Sequence, residues 1–113
     1  MLRYLIPVLA AFPALAEEVA VPGNEIHPLL ADTTLRYEAA VQTFYRSGRT
    51  LYDDGQPSWG YWEVRGDAYC SQWPPQAGWA CYQILQDPAR PEVIVFVGES
   101  GTRYPGQVTD PDR

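Results

Sequence analysis

The spacing of apolar positions changes period once along the chain. In residues 24–31, NEIHPLLA, the apolar side chains Ile26, Leu29 and Leu30 share one face at helical spacing. Asn24 is suited to cap such a turn and Pro28 to sit within its first turn. The preceding residues 17–23, EEVAVPG, are short and end in Pro-Gly, so a loosely held arm is expected there. After Asp32 the period becomes two. TTLRYEA, VQTFYR, RTLYDD, SWGYWEV, DAYCSQW and WACYQIL are short runs rich in aromatic and β-branched residues, and each is bounded by turn residues. VIVFV is an apolar run of the length of a buried strand. TRYPGQV is expected to add a last strand, with Pro105 confining it to an edge or a bulge. Ser47-Gly48 predicts a two-residue hairpin turn; Asp53-Asp54-Gly55 with Pro57 ends the next strand, and Arg65-Gly66 or Gly66-Asp67 turns the one after. Seven or eight short strands, each joined to its sequence neighbour by a tight turn, predict a mainly β fold. The expected architecture is a small antiparallel meander closing into a barrel or strongly curved sheet, with one short N-terminal helix closing an end. A two-sheet sandwich is the alternative.

The stretch YCSQWPPQAGWACY, residues 69–82, is nearly symmetric about its Pro-rich centre. With WPPQAG as a hairpin loop and Cys70 opposite Cys81, Tyr69 faces Tyr82, Ser71 faces Ala80 and Gln72 faces Trp79. Directly opposed residues are close enough for a disulfide. Zinc would need four ligands, but after the expected export cleavage the chain offers two cysteines and His27 in a distant turn. The cysteine spacing also matches no C-x-x-C motif. A Cys70–Cys81 staple, with no metal and no cofactor, is the expectation. With a two-residue turn after Val64, Trp62, Val64, Tyr69, Ser71, Ala80, Tyr82 and Ile84 share the inner face. Tyr61, Glu63, Cys70, Cys81 and Gln83 then point outward.

The compartment comes from the N-terminus. Arg3, the apolar run of residues 5–15 and the small pair Ala14 and Ala16 have the order of a secretory signal peptide cut after Ala16. That run is too short to span a bilayer as a helix, and later apolar runs are broken within a few residues. The expected organisation is a signal peptide at 1–16, a single β-domain at 17–109 and a frayed tail at 110–113, in a periplasmic or secreted protein. Removing Arg3 from the eight basic residues leaves 7 − 14 = −7 formal charges. An acidic chain without a basic cluster offers little to nucleic acid or anionic lipid, so neither is an expected partner.

Four tryptophans are many for this length. Trp62 is expected in the core. Trp59, Trp73 and Trp79 lie at strand ends or beside the Pro-Pro loop and are the candidate binding residues, able to stack on a sugar ring, a Pro-rich segment or an apolar ligand. Arg65-Gly66-Asp67 spells an adhesion tripeptide, but a turn glycine explains it sufficiently. Asp53-Asp54-Gly55 lacks further acids at calcium-loop spacing and reads as a turn. His27 is the one imidazole. It would act in catalysis only if folding brought it to an acid such as Glu63, Asp67 or Glu99, and no phosphate loop, nucleophile elbow or zinc-protease helix is present.

GYWEVRGDAYCSQW followed by CYQI, with GNEIHPLLADTTLRY before it, resembles a family of small exported proteobacterial proteins of unknown function. That family pairs a Leu-rich helical turn and a Gly-Asn-Thr strand with a G-x-W-x-V-x-G-D-x-Y-C-x-x-W run and a second Cys-Tyr. The likeness spans residues 23–84 through Gly60, Trp62, Val64, Gly66, Asp67, Cys70, Trp73, Cys81 and Tyr82, and Asp32-Thr33-Thr34 departs from the Gly-Asn-Thr form. A motif of turn glycines, core aromatics and a cysteine pair implies a preserved fold. The expected function is that of an exported, non-enzymatic β-domain binding a small molecule, a glycan or an envelope protein through aromatic loop ends. The alternatives are an inhibitor of a secreted hydrolase and, further off, a small enzyme using His27.

Overall fold

The computed structural model describes residues 17–109; the expected signal peptide and the expected tail at 110–113 lie outside the described residues. A two-residue strand β1 (Val19–Ala20) precedes the helix α1 (Gly23–Leu30). Eight strands follow: β2 (Thr33–Arg36), β3 (Val41–Phe44), β4 (Arg49–Asp53), β5 (Pro57–Arg65), β6 (Ala68–Gln72), β7 (Trp79–Gln86), β8 (Val93–Val97) and β9 (Arg103–Val108). Each of β2 to β9 pairs antiparallel with its sequence neighbour, and β9 returns to pair with β2 through Leu35↔Val108 and Arg36↔Gln107. The result is a closed eight-stranded up-and-down barrel, as the meander pattern implied. Closure leaves β2 to β9 without an open sheet edge.

The β6–β7 register pairs Tyr69 with Tyr82, Cys70 with Cys81, Ser71 with Ala80 and Gln72 with Trp79. Cys70 and Cys81 are joined as a disulfide on the outer face, with their α-carbons 4.0 Å apart. Arg65 pairs with Ala68, so Gly66-Asp67 is a two-residue turn, and Trp62, Tyr69, Ser71 and Ile84 are buried on the inner side. Pairing partners of one parity then line the interior around the whole barrel.

The helix plugs one end. Ile26 and Leu30 are fully buried against Leu35, Phe44, Trp62 and Ile84, joined by Val21. What starts the helix is non-local. α1 begins at Gly23 rather than after an Asn24 cap, and the Gly23 N–H donates to Asp67 Oδ1 at 2.7 Å, from the β5–β6 turn. The fit allows no side chain at that residue, because a β-carbon on Gly23 would sit 1.8 Å from the Gly66 carbonyl oxygen. The earlier start also moves Pro28 beyond the first turn, into the helix interior. The helix tolerates it because Asn24, whose carbonyl loses its partner, is exposed to water.

Three further expectations are corrected. The arm at 17–23 is tied down: β1 pairs with the end of β7, the Val21 N–H donates to Ile84 O at 2.8 Å, and Glu18 pairs with Arg103 at 2.6 Å. The β3–β4 turn is longer than Ser47-Gly48. The Tyr45 N–H donates to Arg49 O, leaving a three-residue loop, 46–48, in which Gly48 takes the left-handed conformation at φ 97°. Finally, β9 is a closing strand rather than an edge. Pro105 is accommodated because it lies opposite Val95 of β8, two residues before the pairing with β2 begins at Gln107.

Candidate functional site

The end of the barrel away from α1 is an open cup. Its cavity measures about 990 Å³, at the upper end of the 300 to 1,000 Å³ that is roughly usual for small-molecule sites. An eight-stranded barrel has just enough interior to be filled by side chains or to hold one small ligand. Here the two halves divide those roles: the helix end is filled and the other end is hollow.

Alternation places the walls. Inward positions of β3, β4, β6, β7, β8 and β9 supply Gln42, Tyr52, Tyr69, Tyr82, Phe96 and Tyr104, and Tyr37 follows β2. Phe96 closes the floor, edge-on to Tyr37, Tyr69 and Tyr82 at centroid distances of 6.1, 5.1 and 6.3 Å. Tyr52 lies 6.2 Å from Tyr37 and 6.0 Å from Trp73, and Tyr104 lies 6.1 Å from Tyr82. Trp73 enters because β5 presents Gly60 below it. A β-carbon there would approach the indole Cε3 to 2.6 Å and Gln72 O to 2.7 Å. Gly106 makes the same allowance for Tyr37.

One polar chain crosses the lower wall. The Tyr37 hydroxyl donates to Gln42 Oε1 at 2.8 Å, and Gln42 Nε2 donates to Thr50 Oγ1 at 2.9 Å and to the Tyr69 hydroxyl at 3.3 Å. Thr50 Oγ1 in turn donates to Thr43 O at 2.8 Å, and Trp73 Nε1 donates to Ser71 Oγ at 3.1 Å. These bonds satisfy Gln42, which is buried, and fix the wall that a ligand would meet. The hydroxyls of Tyr52, Tyr82 and Tyr104 make no hydrogen bond to a described residue and are available to an occupant.

Burial raises the pKa of Tyr37, Tyr69 and Tyr82 above the ordinary phenol value, with neighbouring phenols adding to the rise at Tyr37 and Tyr82. At Tyr69, hydrogen bonds with Ser71 and Gln42 oppose that rise in part. These three phenols are therefore neutral at physiological pH. A raised folded-state phenol pKa means that the unfolded chain loses its protons first, so stability holds below about pH 10 and falls as pH climbs past it. Denaturant midpoints at about pH 9 and about pH 11 should show a marked drop at the higher value, larger than in a Tyr37→Phe variant.

The three candidate tryptophans separate. Trp73 lines the cup, and Trp59 contributes to its lip from the outer side of β5. There Trp59 stacks on Tyr45 at 5.8 Å, with the Arg49 guanidinium 4.7 Å from its ring centre. Trp79 is opposite Gln72 on the outer face, covered by Arg65 at 4.5 Å, and does not line the cup. Parity already contained that separation, since Trp79 alternates with Ala80 and Tyr82. His27 is exposed on α1, stacked on Trp62 at 5.1 Å and 20°, outside the cup and without a hydrogen bond to Glu63, Asp67 or Glu99. Asp67 caps the helix, and the Asp53 and Asp54 carboxylates accept the Gly55 and Gln56 N–H groups of their own turn.

No family model matches the chain, and neither a curated protein nor a solved structure does. The functional reading therefore stands on the cup itself. Tyr37, Tyr52 and Tyr104 were not foreseen as site residues, because their convergence depends on the closure of β9 against β2, at opposite ends of the domain.

Proposed function

We propose that the protein is an exported, non-enzymatic binding module whose barrel holds one small organic molecule. The observation that carries this reading is the cavity of about 990 Å³, walled by aromatic rings and supported by a satisfied hydrogen-bond chain through Gln42. Large rings normally fill a small barrel, and here they surround space instead. Such a wall excludes water from apolar faces and retains a few phenol hydroxyls that orient an occupant.

Isothermal titration against a panel of neutral, cationic and anionic ring compounds tests the reading. At least one class should bind at a stoichiometry of one, and Trp73→Ala should weaken that binding by about tenfold, the loss of one stacked aromatic contact. If no member of the panel binds, the reading is wrong. The second reading, an inhibitor of a secreted hydrolase, draws on a different surface: Tyr45, Trp59 and Tyr61 are exposed together on the outer barrel wall, with Arg49 between Trp59 and Tyr61. It predicts tight association with a hydrolase that survives Trp73→Ala and is lost on Trp59→Ala.

A further inference from the structure

A cup lined by rings suits either a flat neutral molecule or an organic cation, and the distribution of charge separates the two. Among the described residues, the charged side chains lining the cup are Glu38, Asp54 and Arg103, all exposed. Arg103 is the one cation of the three, and its Nη2 is held by Glu18 at 2.6 Å. Two carboxylates are thus left at the lip of a chain with a formal charge of −6. An anion would meet this field without a free counter-charge, whereas a cation would be drawn toward the mouth.

Beyond the lip the walls carry no carboxylate. Their six principal rings are Tyr37, Tyr52, Trp73, Tyr82, Phe96 and Tyr104. Each is within 6.3 Å of another, so they form one continuous π surface. A primary ammonium carries three donors that need acceptors. Gln42 Oε1 already receives the Tyr37 hydroxyl, and the unbonded hydroxyls of Tyr52, Tyr82 and Tyr104 are single neutral acceptors on three different strands. Such a group is therefore better served by the carboxylates of the lip than by the ring surface. A quaternary or methylated ammonium has few donors or none, is weakly hydrated, and is recognised by ring quadrupoles alone.

We propose that the cup binds an organic monocation bearing a quaternary or methylated ammonium group, seated among the rings of Tyr52, Trp73, Tyr82 and Tyr104 with Glu38 and Asp54 at the entrance. This rests on the binding reading above and adds the chemical class of the ligand. The aromatic box holds the cationic head, and the remaining volume accepts an apolar or ring-bearing tail.

The test compares choline and benzyltrimethylammonium with 3,3-dimethylbutan-1-ol, which has the shape of choline with carbon in place of the charged nitrogen. In titration calorimetry at fixed ionic strength, choline should bind at least about tenfold more tightly than the alcohol, as expected for a desolvated cation–π site. Tyr104→Leu, at an exposed rim residue, should remove most of that preference while leaving the thermal midpoint nearly unchanged. The double variant Glu38→Gln, Asp54→Asn should weaken the cation a few-fold and flatten its salt dependence, without changing binding of neutral compounds. Equal or tighter binding of the alcohol overturns the cation inference. So does binding of neutral ring compounds alone, and that result keeps the cup as a site. Silence from every compound overturns both.

Discussion

Trp62→Ala is expected to cost about 3 to 5 kcal/mol of stability, the usual range for deleting a large buried aromatic. Trp62 is 3% exposed and joins the helix to the barrel. It packs edge-on to Phe44 at 5.8 Å, lies beneath His27 and donates from Nε1 to Tyr45 O at 2.9 Å. Removing the indole opens a cavity under α1 and takes one of two donors from the Tyr45 carbonyl, which keeps the Gly48 N–H at 3.0 Å. Against a typical domain stability of about 5 to 15 kcal/mol, such a loss would leave many small proteins partly unfolded. Denaturant unfolding with an unchanged slope and a lowered midpoint is the expected result. Trp62→Phe should retain part of the packing and cost less. A loss under about 1 kcal/mol in the alanine variant would mean that the helix end collapses around the gap, against the usual behaviour of packed cores.

The helix end and the cup end should respond separately. Trp62 does not line the cavity, so the folded fraction of Trp62→Ala should keep its ligand affinity, whereas Trp73→Ala should lose affinity with little change in midpoint. The cup and the packed helix end are divided along the barrel axis, with Tyr69 and Phe96 forming the layer between: both belong to the core cluster and both line the cup.

The same division explains what could be read along the chain. Local and next-neighbour features were legible. The near-symmetry of residues 69–82 fixed the β6–β7 register, and the Gly66-Asp67 turn fixed the phase of β5, so the inner and outer faces of three strands followed from alternation alone. Features that depend on distant residues were not. The helix start moved to Gly23 because its cap comes from Asp67, 44 residues later. Pro105 argued for an edge until β9 paired with β2. Tyr37 and Tyr104 gave no sign of a site, since each looks like an ordinary half-exposed strand aromatic until closure turns both toward one space. The Gly60–Trp73 contact had a visible trace in that glycine sits at an inward position of a strand. Its partner, beyond the end of β6, could only be found in three dimensions.

Breaking the Cys70–Cys81 disulfide is expected to produce the second large loss. The bond closes a ring of about 12 residues, for which the chain-entropy account gives about 2.8 kcal/mol. In a domain of this size that corresponds to a fall of roughly 10 to 20 °C in Tm. The double variant Cys70→Ala, Cys81→Ala isolates the effect, because it leaves no thiol to oxidise elsewhere. Denatured native protein should show no reactive thiol, because both cysteines are held in the one bond. A functional consequence follows from position. The bonded pair lies at the base of the loop that carries Trp73, whose ring forms one wall of the cup. The double variant should therefore bind ligand more weakly even where it remains folded, by a smaller factor than Trp73→Ala, because the indole is loosened rather than removed. Two reactive thiols in the native protein, or a Tm unchanged by the double substitution, would show that the hairpin holds its register by cross-strand packing of Tyr69 on Tyr82 and of Ser71 on Ala80 alone.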